Sequence, residues 1–289
     1  MESIKYINKC VITKMLLINL FLFFAFAVYS QKTEQKQGLG VIPDSCEFMT
    51  LYETTEALRN SELFLNKNGY PYVLIGYKIA GLLPDSVFNI FELPDKSSPS
   101  QIICTENGLT YLKNKNLLQI MEDDSIRTLF KMKDDKFKIN LIDDNTLYLT
   151  KYTKDSSTVF LFDAGTSQIM KLFTVAGKIN DIAGDGYNTY IAWGHGLFLL
   201  SDNQIFKLMD IEQNITTLGW SDYGLFFATA THIGYILNQY QPLPFISKPA
   251  KKLLPWDNQM YIQFEDGTIS ILFGLEYFEY FVNSVYNNN

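Results

Sequence analysis

The sequence predicts an all-β protein built as a β-propeller of four-stranded antiparallel blades, and three observations lead there. Apolar runs five to eight residues long, rich in Ile, Leu, Val, Phe and Tyr and broken by Asn, Asp, Gly and Ser, fill the chain from Glu47 onward. A strand–turn–strand text repeats without a gap at an offset of 88 residues. Turns led by aspartate recur at steps of 41, 37 and 35 residues. A unit of about 40 residues with four strands is the period of a propeller blade.

The chain has 289 residues, of which 47% are hydrophobic, 15% aromatic and 19% charged, enough apolar material for a large core. Its first element is a leader. Lys5, Lys9 and Lys14 precede an apolar run from Met15 to Tyr29, and Ser30, with Val28 two positions earlier, suits cleavage ahead of Gln31. The run falls short of the roughly 20 residues of a spanning helix, and Asn19 interrupts it, so it reads as a signal peptide over 1–30 rather than an anchor. Cys10 precedes the run and Cys46 lies far beyond it, which argues against a lipoprotein. The expected organisation is a leader over 1–30, an extension over 31–46 and the propeller over 47–289, secreted or periplasmic with no stable membrane insertion after cleavage. Removing the leader discards three lysines and Glu2, taking the formal charge from −7 to −9. Nucleic acid and anionic membrane surfaces are disfavoured as partners by that charge. Cys46 and Cys104 remain in an oxidising compartment, and the two alternatives are a disulfide or two small buried hydrophobes.

Along the body, a short helix is expected around Glu53 to Arg59 and strands elsewhere. Ile102 to Leu112, continuing through Asn116 to Met121, lies over Tyr190 to Leu200, continuing through Gln204 to Met209. Looser copies run from Leu225 to Leu237 and from Met260 to Leu272. Each copy is preceded by an apolar strand ending at Asp144, Asp185, Asp222 or Asp257, residues suited to tight turns. Dividing the 259 residues after the leader by about 40 gives six blades, with five or seven as the alternatives. Four blades begin near Lys138, Lys178, Ile215 and Lys251, and the first two fall between Glu47 and Lys133. The strand Ile126 to Met132 does not fit the four-strand register. Pro242-Leu243-Pro244 suits an outer strand, where proline is tolerated.

The segment Trp193-Gly194-His195-Gly196-Leu197-Phe198-Leu199 resembles the blades of secreted bacterial propellers typified by two-component regulator propellers, in which a strand, a Gly-Leu turn and an aromatic strand recur. The resemblance extends over about 240 residues as periodicity. It implies fold and compartment; no kinase or DNA-binding segment accompanies it, and it carries no catalytic residue across.

By this register His195, His232 and the Glu265-Asp266 pair occupy equivalent second turns of three successive blades, and Glu106 occupies that turn in an earlier one. They are expected round one rim as a ligand-contact surface. Imidazole and carboxylate together suit zinc, but turns are polar wherever they occur, and no metal or other cofactor is expected. Trp220 and Trp256, near the ends of first strands, are expected close to the channel, packed in the core or exposed for stacking. Asp181, Asp185 and the Asp143-Asp144 pair read as turn formers. Two histidines and no nucleophile motif favour a non-enzymatic module that binds an extracellular or envelope protein, peptide or glycan. The alternative is a propeller hydrolase or lyase acting on an extracellular polymer.

Overall fold

The computed structural model describes residue 43 and residues 45–278, apart from 84–85, 97, 122–124, 134–135, 144, 185–186, 203 and 237–242. The leader and the turn residues Asp144, Asp185 and Pro242 therefore lie outside the described residues. Strand β1 (Glu47–Tyr52) and a single helical turn, α1 (Glu56–Arg59), open the described chain. Thr55 caps α1 by accepting from Leu58 N at 3.1 Å.

Six blades follow. The first comprises β2 (Glu62–Leu65), β3 (Pro71–Ile75), β4 (Lys78–Leu83) and β5 (Ser86–Glu92); the second β6 (Gln101–Thr105), β7 (Gly108–Lys113), β8 (Asn116–Ile120) and β9 (Ile126–Lys131). The third comprises β10 (Phe137–Leu141), β11 (Thr146–Tyr152), β12 (Ser156–Asp163) and β13 (Gln168–Ala176); the fourth β14 (Ile179–Gly184), β15 (Thr189–Trp193), β16 (Gly196–Ser201) and β17 (Gln204–Asp210). The fifth comprises β18 (Thr217–Ser221), β19 (Gly224–Ala228), β20 (Ile233–Ile236) and β21 (Leu243–Ile246). The sixth takes β22 (Ala250–Trp256), β23 (Gln259–Phe264) and β24 (Ile269–Phe273) from the end of the chain and β1 from its start.

Every pairing is antiparallel, so each blade is a meander. Each first strand neighbours the first strand of the next blade, and β22 neighbours β2, which closes the ring. The first strands are thus innermost, and the blades pack face on face through apolar clusters. Leu112 and Leu117 of blade two meet Ile139, Leu147 and Phe162 of blade three, for example. This two-sided burial explains why the strands are apolar without strict alternation. A ring of aromatic side chains seals blades five and six: Phe278, beyond β24, stacks edge-on against Phe226 and Phe245 at centroid distances of 5.4 and 4.9 Å.

Six blades of four strands are as expected, and the first strands begin within two residues of the positions read for blades three to six. Three details differ. Ile126–Lys131, which the register could not absorb, is the outer strand of blade two. Glu47–Tyr52 belongs to blade six, where Glu47 pairs with Phe273, and not to the first blade. The text repeated at an offset of 88 lays β6, β7 and β8 over β15, β16 and β17, one strand out of phase. A propeller permits this error because strand–turn–strand text looks alike at any position in a blade.

Candidate functional site

The meander gives the disc two faces. The second-to-third turns and the blade-to-blade connections emerge on one, called here the connecting face. The first-to-second and third-to-fourth turns emerge on the other, the hairpin face. His195 lies between β15 and β16, His232 between β19 and β20, and Glu265 and Asp266 between β23 and β24, so all four share the connecting face in three successive blades. Glu106 does not. It lies between β6 and β7, on the hairpin face, and this corrects the rim expected from sequence; the cause is the one-strand phase error above. Trp220 and Trp256 end β18 and β22 beside the inner ring, as expected, but that end also opens on the hairpin face.

On the connecting face His232 and Asp266 take local partners. His195 is exposed. The Nδ1 of His232 lies 3.1 Å from Thr229 Oγ1 and 3.0 Å from Thr231 Oγ1. Burial pushes its imidazole below the usual range, against an opposing pull from Glu212. Asp266 pairs with Lys248 at 2.8 Å and accepts from Thr268 N at 2.9 Å, while Glu265 is exposed. Among the described residues no three His, Cys, Asp or Glu side chains come together in a way that could hold a metal ion.

Below this rim, the first residues of the inner strands form a belt of polar contacts that reach from one blade to the next. Gln101 Oε1 accepts from Ile139 N at 2.7 Å, linking blades two and three. Lys138 Nζ donates to Asn180 O at 2.8 Å and to Asp181 Oδ1 at 2.6 Å, linking three and four. Asn180 and Lys251 occupy the same position in their blades, each the extra residue of a bulge at the start of an inner strand. The bulge turns both side chains toward the next blade. Asn180 Nδ2 donates to Ile215 O at 2.8 Å, and Lys251 Nζ to Ser61 O at 2.6 Å. Lys252 pairs with Glu62 across the seam where the ring closes. Between blades five and six the backbone at Gly219 lies against the Pro255 ring, so that a Cβ there would stand 2.9 Å from Pro255 Cδ.

Asp181 is the centre of this belt. It is not the turn former expected from its sequence position but a buried carboxylate within β14. Oδ1 accepts from Lys138, from Asn140 Nδ2 at 2.7 Å and from Ile182 N at 3.0 Å. Oδ2 accepts from Thr217 Oγ1 at 2.8 Å and Leu218 N at 2.9 Å. Burial alone would raise its pKa, but Lys138 and these donors outweigh it and hold the carboxyl below its usual range. A carboxylate with five donors has no free lone pair with which to take a proton or ligate a metal. The belt was missed in the sequence because polar residues at strand starts carry no signal of which neighbour they face.

The hairpin face is built differently. Asn145 Nδ2 donates to Glu106 Oε2 at 2.9 Å and Asn107 Nδ2 to Asn145 Oδ1 at 2.7 Å, tying the turns of blades two and three. Trp256, 40% exposed, lies over Gly69 in the first turn of blade one. Trp220 is half-buried against the cluster that includes Leu218 and Leu225. Cys46, just before β1, and Cys104, in β6 of blade two, are both free thiols. Cys46 Sγ donates to Gly274 O at 3.1 Å, and burial pushes its pKa up to about 12.

No family model matches the chain, and no curated protein matches its sequence. Solved structures match it in shape. A gluconolactonase from Xanthomonas campestris superposes with a TM-score of 0.63 at 10% identity, over 82% of this chain and 95% of that one. A virginiamycin B lyase from Staphylococcus aureus superposes at 0.55 and 11% identity, over 79% and 99%. The extracellular domain of a putative one-component system from B. thetaiotaomicron superposes at 0.55 and 13% identity, over 78% of this chain and 40% of that one. The likeness is one of fold. Enzymes and a regulator's extracellular domain share it, so the shape alone does not choose between catalysis and binding.

Proposed function

We propose that this chain is an exported, non-enzymatic β-propeller that binds an extracellular or envelope protein, peptide or glycan through one face of its disc. The observation that supports binding over catalysis is the state of Asp181. Asp181, the one acid buried among the described residues, is spent on joining three blades, and among the described residues no three His, Cys, Asp or Glu side chains come together into a metal-holding group. Export is supported by the leader read in residues 1–30, and among the described residues no helix is long and apolar enough to cross a membrane.

A second reading, a hydrolase or lyase acting on an extracellular polymer, draws on the fold shared with a lyase and a gluconolactonase. It would use His195, His232, Glu265 and Asp266. One experiment separates the two. The mature protein is cross-linked in the native envelope or medium and its partner recovered, while turnover of lactones and extracellular polysaccharides is measured for it and for a His195→Ala/His232→Ala variant. A saturable partner without turnover supports the binding module; turnover abolished in the variant supports the enzyme. The recovered protein should also begin at Gln31, which mass spectrometry reads directly.

A further inference from the structure

We propose that the hairpin face is the docking surface, and that its partner is a polypeptide segment carrying lysine or arginine among apolar side chains. This rests on the reading of the chain as a binding module and names the face and the partner's chemistry.

The first observation is where apolar side chains meet water. The described residues include eight large hydrophobic side chains with strong exposure. None lies in a connecting-face turn. Leu141 ends β10 and Trp256 ends β22, both at the hairpin face; Tyr187, 90% exposed, lies in the β14–β15 turn, and Tyr277 follows β24. Ile169 and Met170 are the second and third residues of β13, counted from that face, and Phe206 is the third of β17. Only Leu208 stands further along its strand. Scattered exposed hydrophobes are ordinary, but their concentration at one end of a disc marks an interaction surface.

Charge then selects the partner. On the connecting face acids and cations are interleaved, as in Lys154-Asp155, Asp95-Lys96 and the Lys248–Asp266 pair. On the hairpin face, counted to the same depth, Lys67 in the first turn of blade one and Arg127 at the start of β9 are the cations among the described residues, against Glu106, Asp143, Asp202, Asp222 and Asp257 in the turns, Asp163 at the end of β12 and Glu276 beyond β24. An acidic surface studded with exposed rings complements ammonium and guanidinium groups twice, by Coulomb attraction and by cation–π contact, while the exposed aliphatic groups accept apolar side chains. An acidic partner would be repelled, and a neutral glycan would gain nothing from the carboxylates.

The test uses the mature protein and two short synthetic peptides of equal apolar content, one carrying lysine and arginine and the other glutamate and aspartate at the same positions. Binding is followed by calorimetry at low and moderate salt. The basic peptide should bind, and weaken several-fold as salt screens the face. A Met170→Ser/Tyr187→Ser/Asp222→Asn/Asp257→Asn variant should lose about tenfold or more in affinity, whereas Glu212→Gln/Glu265→Gln on the connecting face should leave it unchanged. Should the fourfold variant melt early, the Asp222→Asn/Asp257→Asn pair alone carries the test through its reduced salt dependence. Equal binding of both peptides, no binding of the basic one, or loss confined to the connecting-face variant overturns the proposal. A native partner captured equally well by wild type and the hairpin-face variant also overturns it, while leaving the binding-module reading intact.

Discussion

Asp181 is a single side chain on which two blade seams depend. Its carboxylate lies in blade four and accepts hydrogen bonds from blades three and five, so loss of its charge loosens two seams together. Asp181→Asn leaves Lys138 at the seam without its anion and replaces two acceptors by one acceptor and a donor. The expected cost is about 3 kcal/mol, read as a lower urea midpoint with an unchanged slope. The sign of its pH dependence follows from the depressed folded-state pKa. Its contribution is present above the unfolded carboxyl pKa and disappears as pH falls through the lower folded value, so the wild type should lose stability in strong acid more steeply than the variant. The thiols offer a separate check. Cys46, buried and raised to about 12, should not react with a disulfide reagent at neutral pH until the protein is unfolded, and the half-buried Cys104, also raised by burial, should react more slowly than a free thiol. Rapid labelling of either native thiol would contradict the placement of that residue.

Among the elements, β1 bears the largest consequence for its size. It is the first described strand, yet it pairs with β24 and completes the last blade. Without it β24 would expose an edge in blade six, and Met49 and Leu51 would leave the cluster formed with Leu63, Ile269 and Ile271. A chain beginning after Tyr52 should therefore lose cooperative unfolding in calorimetry, whereas a chain beginning at Gln31 should keep it. The close seam between β18 and β22 depends on Gly219, where a methyl group would meet the rigid ring of Pro255. Gly219→Ala should cost about 1–3 kcal/mol, visible as a lower Tm with the fold retained in circular dichroism. The periodic strands and their turns were legible in sequence because apolar runs separated by Asp, Asn and Gly state where a chain extends and reverses. The identity of β1 was not, since its partner lies at the other end of the chain and nothing local says that a strand will be the fourth of the last blade and not the first of the first.

For the whole molecule, ring closure couples these local terms. Each blade buries both faces on its neighbours, so no blade is stable alone, and thermal unfolding should be a single transition rather than a series. The same closure sorts side chains between two faces, and it is this sorting that separated residues expected together. His195, His232, Glu265 and Asp266 stay on one face, and Glu106 passes to the other, where Trp220 and Trp256 also end their strands. Peptide binding that depends on Tyr187, Met170, Asp222 and Asp257 but not on Glu212 or Glu265 would assign function to the hairpin face and leave the histidine rim as solvated turns.

What the amino-acid sequence determined by itself was the period: an all-β chain, strands of blade length and turns spaced near 40 residues, with six blades read ahead of five or seven. Those follow from backbone geometry and side-chain polarity within a few residues, which a linear text records. What the tertiary structure decided was phase and partnership: which strand of a blade each run becomes, that Glu47–Tyr52 closes the ring, that Asp181 is a buried link between blades and that Glu106 faces away from His195. A repeat has the same text whichever strand it starts on, and only pairing across distant residues, enforced by closing the ring, breaks that degeneracy.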